Sequence, residues 1–258
     1  MLNKTDKQLN KLRTFNFVMG CFHLLQGILL WVLSTDFTLP INTYFLKFNQ
    51  ATMNLQPVED TVWELRLAPW IAVFLFMSAA AHFIISSPGI YEWYAKNLKN
   101  GINYARWYEY AFSSSLMIVI ISLLVGIYDL SALIPIFGIN AMMILFGLMM
   151  ELHNQTTKKT DWTSFIYGSI AGIVPWIVIA FNLAGAGEGD LKPPTFVYWI
   201  FFTIFIFFNT FAINMFLQYK QVGKWKDYLF GEKMYIVLSL LAKSALAWQI
   251  FAGTLRPV

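Results

Sequence analysis

Seven stretches of this chain are long and apolar enough to cross a bilayer, and that alone removes most folds from consideration. They run approximately over 14–34, 65–86, 102–128, 131–152, 162–183, 195–219 and 233–255. About 20 apolar residues in helical form span a hydrocarbon layer ~30 Å thick. Inside that layer every backbone N–H and C=O must find a partner within the protein, so each stretch is expected to be a helix. The expected architecture is all-α: one seven-helix membrane domain over 1–258, multi-pass and surrounded by lipid. Only 12% of residues are charged, against about 25% in soluble domains. The net charge of +4 does not point to nucleic acid, because the charges fall in short links between apolar runs. A single cysteine, Cys21, excludes an intrachain disulfide and a cysteine-based metal site. Residues 1–13 are polar, and no small-residue cleavage site follows the first apolar run, so no cleavable signal peptide is expected.

Turn residues separate the runs. Ser86-Ser87-Pro88-Gly89 closes the second, Asp129 marks a tight link after the third, and Gly185 to Pro194 joins the fifth to the sixth. Pro135 is expected in the first turn of its helix, where proline is tolerated, and Pro175 is expected to kink or locally open the fifth helix. Thirteen Lys and Arg residues fall in links on the side of the N-terminus and four on the other side. The positive-inside rule therefore predicts a cytoplasmic N-terminus and an extracellular C-terminus in the cell membrane. The connection Thr35 to Glu64 is the only long one. Its segment Ile41 to Phe48 is rich in strand formers and precedes Asn49-Gln50, which predicts a short extracellular β-hairpin between the first two helices. A connection this long and apolar packs either on a partner subunit or as a lid on its own helices.

Lys243 is the most informative single residue. It lies about ten residues into the last run, roughly 15 Å from either end, too deep to reach the interface with ease. A lysine at that depth marks a functional site by default. Held in an apolar pocket it can attack an aldehyde and form a Schiff base; the alternative is a structural ion pair with a carboxylate on another helix. Glu109 is the natural counterion, the one carboxylate read as deep within a run. Arg106, three residues earlier on the same helical face, is expected to lie toward the interface and pair with Glu109. Ser239, one turn before Lys243, is placed to bond the lysine nitrogen or Glu109. His23 and His82 fall in the same half of the bilayer as Lys243 and are either proton-holding groups or structural histidines. Glu151 and His153 are read as interfacial. The other half of the bilayer is nearly free of ionisable groups. No HExxH, phosphate loop or convincing Ser-His-Asp set is present, and no metal site and no enzyme activity are expected.

Seven spans with a mid-helix lysine in the last suggest a retinal protein, and the residues narrow the choice. The run Ser239-Leu240-Leu241-Ala242-Lys243-Ser244-Ala245-Leu246-Ala247-Trp248-Gln249-Ile250-Phe251-Ala252-Gly253-Thr254-Leu255 closely resembles the last helix of the heliorhodopsins. Arg106-Trp107-Tyr108-Glu109-Tyr110, His23, His82 and the expected cytoplasmic N-terminus are also similar to that family's pattern, and the resemblance extends over essentially the whole chain. It implies a bundle of rhodopsin type with all-trans retinal on Lys243 as a protonated Schiff base and Glu109 as sole primary counterion. It implies that Ser239 and Ser78 lie close to that pair, that Asn140 and Met143 lie near the chromophore, and that His23 and His82 form part of a cytoplasmic-side cluster that takes up the released proton. It further implies a homodimer with the hairpin at or near the interface, and a light sensor without net ion transport whose downstream cytoplasmic partner is not identified by the sequence. Two other functions compete: a light-driven proton pump or other light-driven ion transporter, and a membrane enzyme or non-photic transporter using Lys243 and Glu109 as a proton-coupled pair.

Overall fold

The computed structural model describes residues 4–186 and 192–256. In chain order the elements are α1 (Lys4–Leu33), β1 (Thr38–Asn49), β2 (Asn54–Arg66), α2 (Leu67–Ser86), α3 (Ile90–Lys99), α4 (Tyr104–Leu124), α5 (Leu130–His153), α6 (Thr163–Gly185), α7 (Thr195–Tyr219) and α8 (Tyr228–Ile250). Among the described residues, all helices except α3 are long and apolar enough to cross a membrane, which makes seven. The expected link between the fifth and sixth spans lies partly at 187–191, outside the described residues.

Local sequence explains most boundaries. Asn103 caps α4 by accepting a hydrogen bond from Arg106 N at 3.0 Å, and Asp129 caps α5 by accepting from Ser131 N at 3.0 Å. α4 ends at Leu124, two residues before Gly126, whose φ of +87° lets Gly126 N–H reach Leu123 O and Ile127 N–H reach Ser122 O. Pro88 and Gly89 stop α2. α3 is a short amphipathic helix that the hydropathy pattern did not reveal. Its residues Tyr94 and Leu98, one turn apart, are buried against Leu9, Leu12 and Ile85, while Lys96 and Lys99 lie in its last turn.

Several expectations need correction. α1 begins ten residues earlier than the apolar run, at Lys4 rather than 14, because its polar first turns pack on α3 through Leu9 and Leu12. α8 begins at Tyr228 rather than 233, capped by Asp227. Pro135 lies inside α5, beyond its first turn. α6 stays helical through Pro175 and does not open there. The hairpin is long, with strands of 12 and 13 residues, about 40 Å at ~3.3 Å per residue.

Its strands pair antiparallel with a bulge between Ile41 and Asn42. Leu39, Ile41 and Leu65 at its base are buried in the bundle core, and Asn42 N donates to Tyr128 O at 2.9 Å. Farther out, Phe45, Leu46, Phe48 and Leu55 are exposed, and Trp63, opposite Ile41 at the base, is exposed as well. A two-stranded ribbon is marginal alone, so this base anchors it.

The interior is divided by depth. On the hairpin side Ile71, Phe74 and Leu75 of α2, Met117, Ile118 and Ile121 of α4, and Leu246 and Ile250 of α8 form one apolar core. On the side of the N-terminus, buried polar residues (Asn16, His23, His82, Asn103, Arg106, Glu151, Glu232) occupy the interior instead. Lys243 sits where the two regions meet.

Candidate functional site around Lys243

Three helices supply the site, and helical spacing explains each contribution. On α8, Glu232, Ser239, Lys243 and Leu246 follow at intervals of seven, four and three residues and are all buried, the mark of one inward face. On α4, Arg106, Tyr110, Ser113 and Met117 form the corresponding buried row, with Glu109 beside it. On α2, Ser78 and His82 are one turn apart and buried.

Lys243, 3% exposed, donates from Nζ to Glu109 Oε1 at 2.7 Å and to Ser78 Oγ. Ser78 Oγ in turn donates to the same Glu109 oxygen at 2.7 Å. The ammonium also lies 5.2 Å from the centre of the Tyr110 ring, within reach of its negative face. A buried pair of this kind holds because both charges are partnered; removal of either leaves an uncompensated charge in an apolar interior. Ser239 is correctly placed on the Lys243 face and is buried, but its hydroxyl bonds neither Lys243 nor Glu109. The lysine side chain extends toward α2 and α4, so the serine that joins the pair is Ser78.

His23 and His82 stack, with ring centres 5.6 Å apart and planes 15° apart. The Asn16 amide donates to Leu12 O at 3.0 Å, which leaves its oxygen for His82 Nδ1 at 2.8 Å. Both ring nitrogens of fully buried His23 lack a partner.

The expected Arg106–Glu109 pair is not formed. Arg106 reaches instead to Glu151 Oε1 at 2.6 Å and to Glu232, with its guanidinium carbon 4.3 Å and 3.9 Å from the ring centres of Trp107 and Tyr235. Glu151, read from the sequence as interfacial, is 2% exposed, and Glu232, which the reading placed outside the last span, is 1% exposed. Among the described residues Glu109 is therefore not alone as a carboxylate in the interior: Glu151 and Glu232 are more deeply buried than it is. The signal for Glu232 was available: eleven residues is three helical turns, which puts it on the face of Lys243.

A cavity of about 120 Å³ adjoins Lys243. Its walls are Trp107, Tyr110, Phe165, Phe208, Phe211 and Tyr235, with Met117, Met143 and Met215 and small residues between them; Ser239 also lines it. Asn140 does not. It lies one layer behind, donating to Ser114 Oγ at 2.9 Å and Ser115 Oγ at 3.0 Å, and Ser114 is in the lining. Gly147 and Gly168 leave room that a side chain would take. A Cβ at Gly147 would lie 2.3 Å from the Trp107 ring, and one at Gly168 would lie 3.0 Å from Phe146 Cβ.

A family model for heliorhodopsin matches residues 12–255. The chain belongs to the heliorhodopsin family. Among solved structures, the transmembrane domain and linker region of Salpingoeca rosetta rhodopsin phosphodiesterase is similar in fold. Its TM-score is 0.63 at 15% identity, over 95% of this chain and 70% of that one. A comparison with curated proteins finds no match. Membership of the heliorhodopsin family and the rhodopsin fold support a retinal-binding, light-sensing, multi-pass membrane protein. The chemistry of the lining suits that cofactor: it is aromatic and apolar, glycine and serine leave space within it, and the buried amine of Lys243 reaches it.

Proposed function

We propose that this heliorhodopsin is a light sensor in which Lys243 Nζ holds all-trans retinal as a protonated Schiff base, with Glu109 as counterion. The observation that carries the reading is the buried Lys243–Glu109 pair, 2.7 Å long, at the margin of an aromatic cavity. Retinal, when bound, supplies light absorption and an isomerisable polyene. The chain's residues do the rest. The aromatic walls exclude water and orient an apolar ligand. Ser78 holds Glu109 Oε1 toward Nζ, and that oxygen is the first that can take a proton from it. His82 and His23 lie on the side of the N-terminus and extend the set of proton-holding groups. Ser239 and Met143 shape the cavity, and Asn140 braces it through Ser114.

In this reading the proton moves locally and returns, while helix shifts signal to a cytoplasmic partner. Net transport is disfavoured because the interior on the hairpin side is built of Met117, Ile118, Ile121 and their neighbours, where charge is costly. The Lys and Arg distribution supports a cytoplasmic N-terminus and extracellular C-terminus. The exposed Phe45, Leu46, Phe48 and Trp63 of the hairpin support a homodimer that covers them. The protein acts as a receptor and not as an enzyme.

Two measurements test the reading. Lys243→Ala expressed with retinal is expected to show no visible absorption band; a retained band would put the linkage elsewhere. Illuminated liposomes containing the protein are expected to show no sustained pH change or stationary photocurrent. A sustained change abolished by a protonophore would make the protein a pump.

A further inference from the structure

We infer that Glu232 is the carboxylate that exchanges a proton with the Lys243–Glu109 pair. The inference rests on Lys243 as the chromophore-bearing residue and names an acceptor besides the histidines. It starts from a charge imbalance: Arg106 is shared by two buried carboxylates, Glu151 and Glu232, so the trio carries a net negative charge when both are ionised. A buried net charge is costly, and uptake of one proton removes it.

Hydrogen-bond inventories decide which carboxylate takes the proton. A carboxylate offers about four lone-pair sites. Glu151 has four donors: Arg106 Nη2 at 2.6 Å and Tyr228 OH at 3.2 Å on Oε1, Asn103 N at 2.9 Å and Trp107 Nε1 at 2.6 Å on Oε2. A guanidinium, a backbone N–H and an indole N–H cannot accept, so a proton on Glu151 has an acceptor only in the Tyr228 hydroxyl, which would have to give up its own donation. Glu232 has only two donors, Arg106 Nη1 on Oε1 and Asn103 Nδ2 at 2.6 Å on Oε2, and keeps lone pairs free.

Those lone pairs have somewhere to look. Glu232 lines a second cavity of about 30 Å³ together with Glu109, Ser78, His82, Asn16 and Arg106. That is room for one or two waters among polar partners, and it joins the two acidic sites directly. His82 shares the cavity, but its Nδ1 is engaged by Asn16; His23 is not in the lining. The other ionisable groups around Glu232 are Arg106, Glu151, Tyr94, Tyr228 and Tyr235. The step balances: one proton leaves Lys243 Nζ, passes by way of Glu109 and cavity water, binds a Glu232 oxygen, and returns.

Infrared spectroscopy reads the group directly. In the protein without retinal, lowering the pH is expected to produce a carboxylic C=O band that shifts in D2O and is missing in Glu232→Gln. In the retinal-loaded protein, light is expected to produce such a band, lost in Glu232→Gln, shifted in frequency in Glu232→Asp, and kept in the double variant His23→Phe, His82→Phe. A light-induced band that persists unchanged in Glu232→Gln overturns the inference. Should Glu232→Gln fail to fold, Glu232→Asp decides: an unshifted band overturns it equally. If no pigment forms at all, the proposed function fails, while the titration without retinal still judges Glu232, and there a band unaffected by either variant refutes it.

Discussion

Replacing Gly147 by alanine tests the cavity with a single methyl group. Gly147 is on α5, and a Cβ there would meet Trp107 Cζ3 at 2.3 Å, Cη2 at 2.4 Å and Cε3 at 2.9 Å. Ordinary contact begins at 3.4 Å, so the shortfall is 3.4 − 2.3 = 1.1 Å. The indole cannot swing away freely, because Nε1 donates to Glu151 at 2.6 Å and its face carries the Arg106 guanidinium at 4.3 Å. It must move into the cavity, or α4 and α5 must separate. Overpacking of this kind costs about 1–3 kcal/mol, while alanine regains roughly 1 kcal/mol over glycine in a helix. The clash therefore sets the sign. Gly138, on the same helix, is the control: a Cβ there meets nothing within 4 Å. Membranes would be titrated with retinal, following pigment absorbance and then thermal bleaching. Gly147→Ala is expected to load retinal about tenfold more weakly and to bleach at lower temperature; Gly138→Ala is expected to match the parent or exceed it. Adding Trp107→Phe to Gly147→Ala should recover part of the loss, since the smaller ring frees the contested space; the double variant then falls short of additivity. Wild-type loading and stability in Gly147→Ala, or strict additivity with Trp107→Phe, would refute the cavity assignment.

Two further outcomes are expected. Glu109→Gln should move the absorption band to longer wavelength or, where the linkage loses its proton, to the near ultraviolet at neutral pH, because the carboxylate is what favours the protonated nitrogen; an unchanged spectrum rules out Glu109 as counterion. The double change His23→Phe, His82→Phe should alter photocycle rates measured by flash photolysis while leaving the bundle folded; unaltered rates would return both histidines to a structural role.

The amino-acid sequence by itself determined what the bilayer enforces. Seven apolar runs specify seven helices, because no other backbone form satisfies its own hydrogen bonds in lipid. The depth of Lys243 follows from counting residues, and the need for a counterion follows from the cost of an unpaired buried charge. Tertiary structure decided the partners. Arg106 and Glu109 are three residues apart on one helix, so local spacing favours that pair, yet the guanidinium turns to Glu151 of α5 and Glu232 of α8. Ser239 shares a helix face with Lys243, yet Ser78 of α2 makes the contact. The first hairpin strand ends at Asn49, one residue past Phe48, but its partner Asn54–Arg66, mostly exposed, is set by cross-strand pairing that the hydropathy pattern of one strand does not encode. In each case the deciding distance lies between helices or strands remote in sequence. Periodicity states which face of a helix is turned inward; only the packing of the bundle states what that face meets.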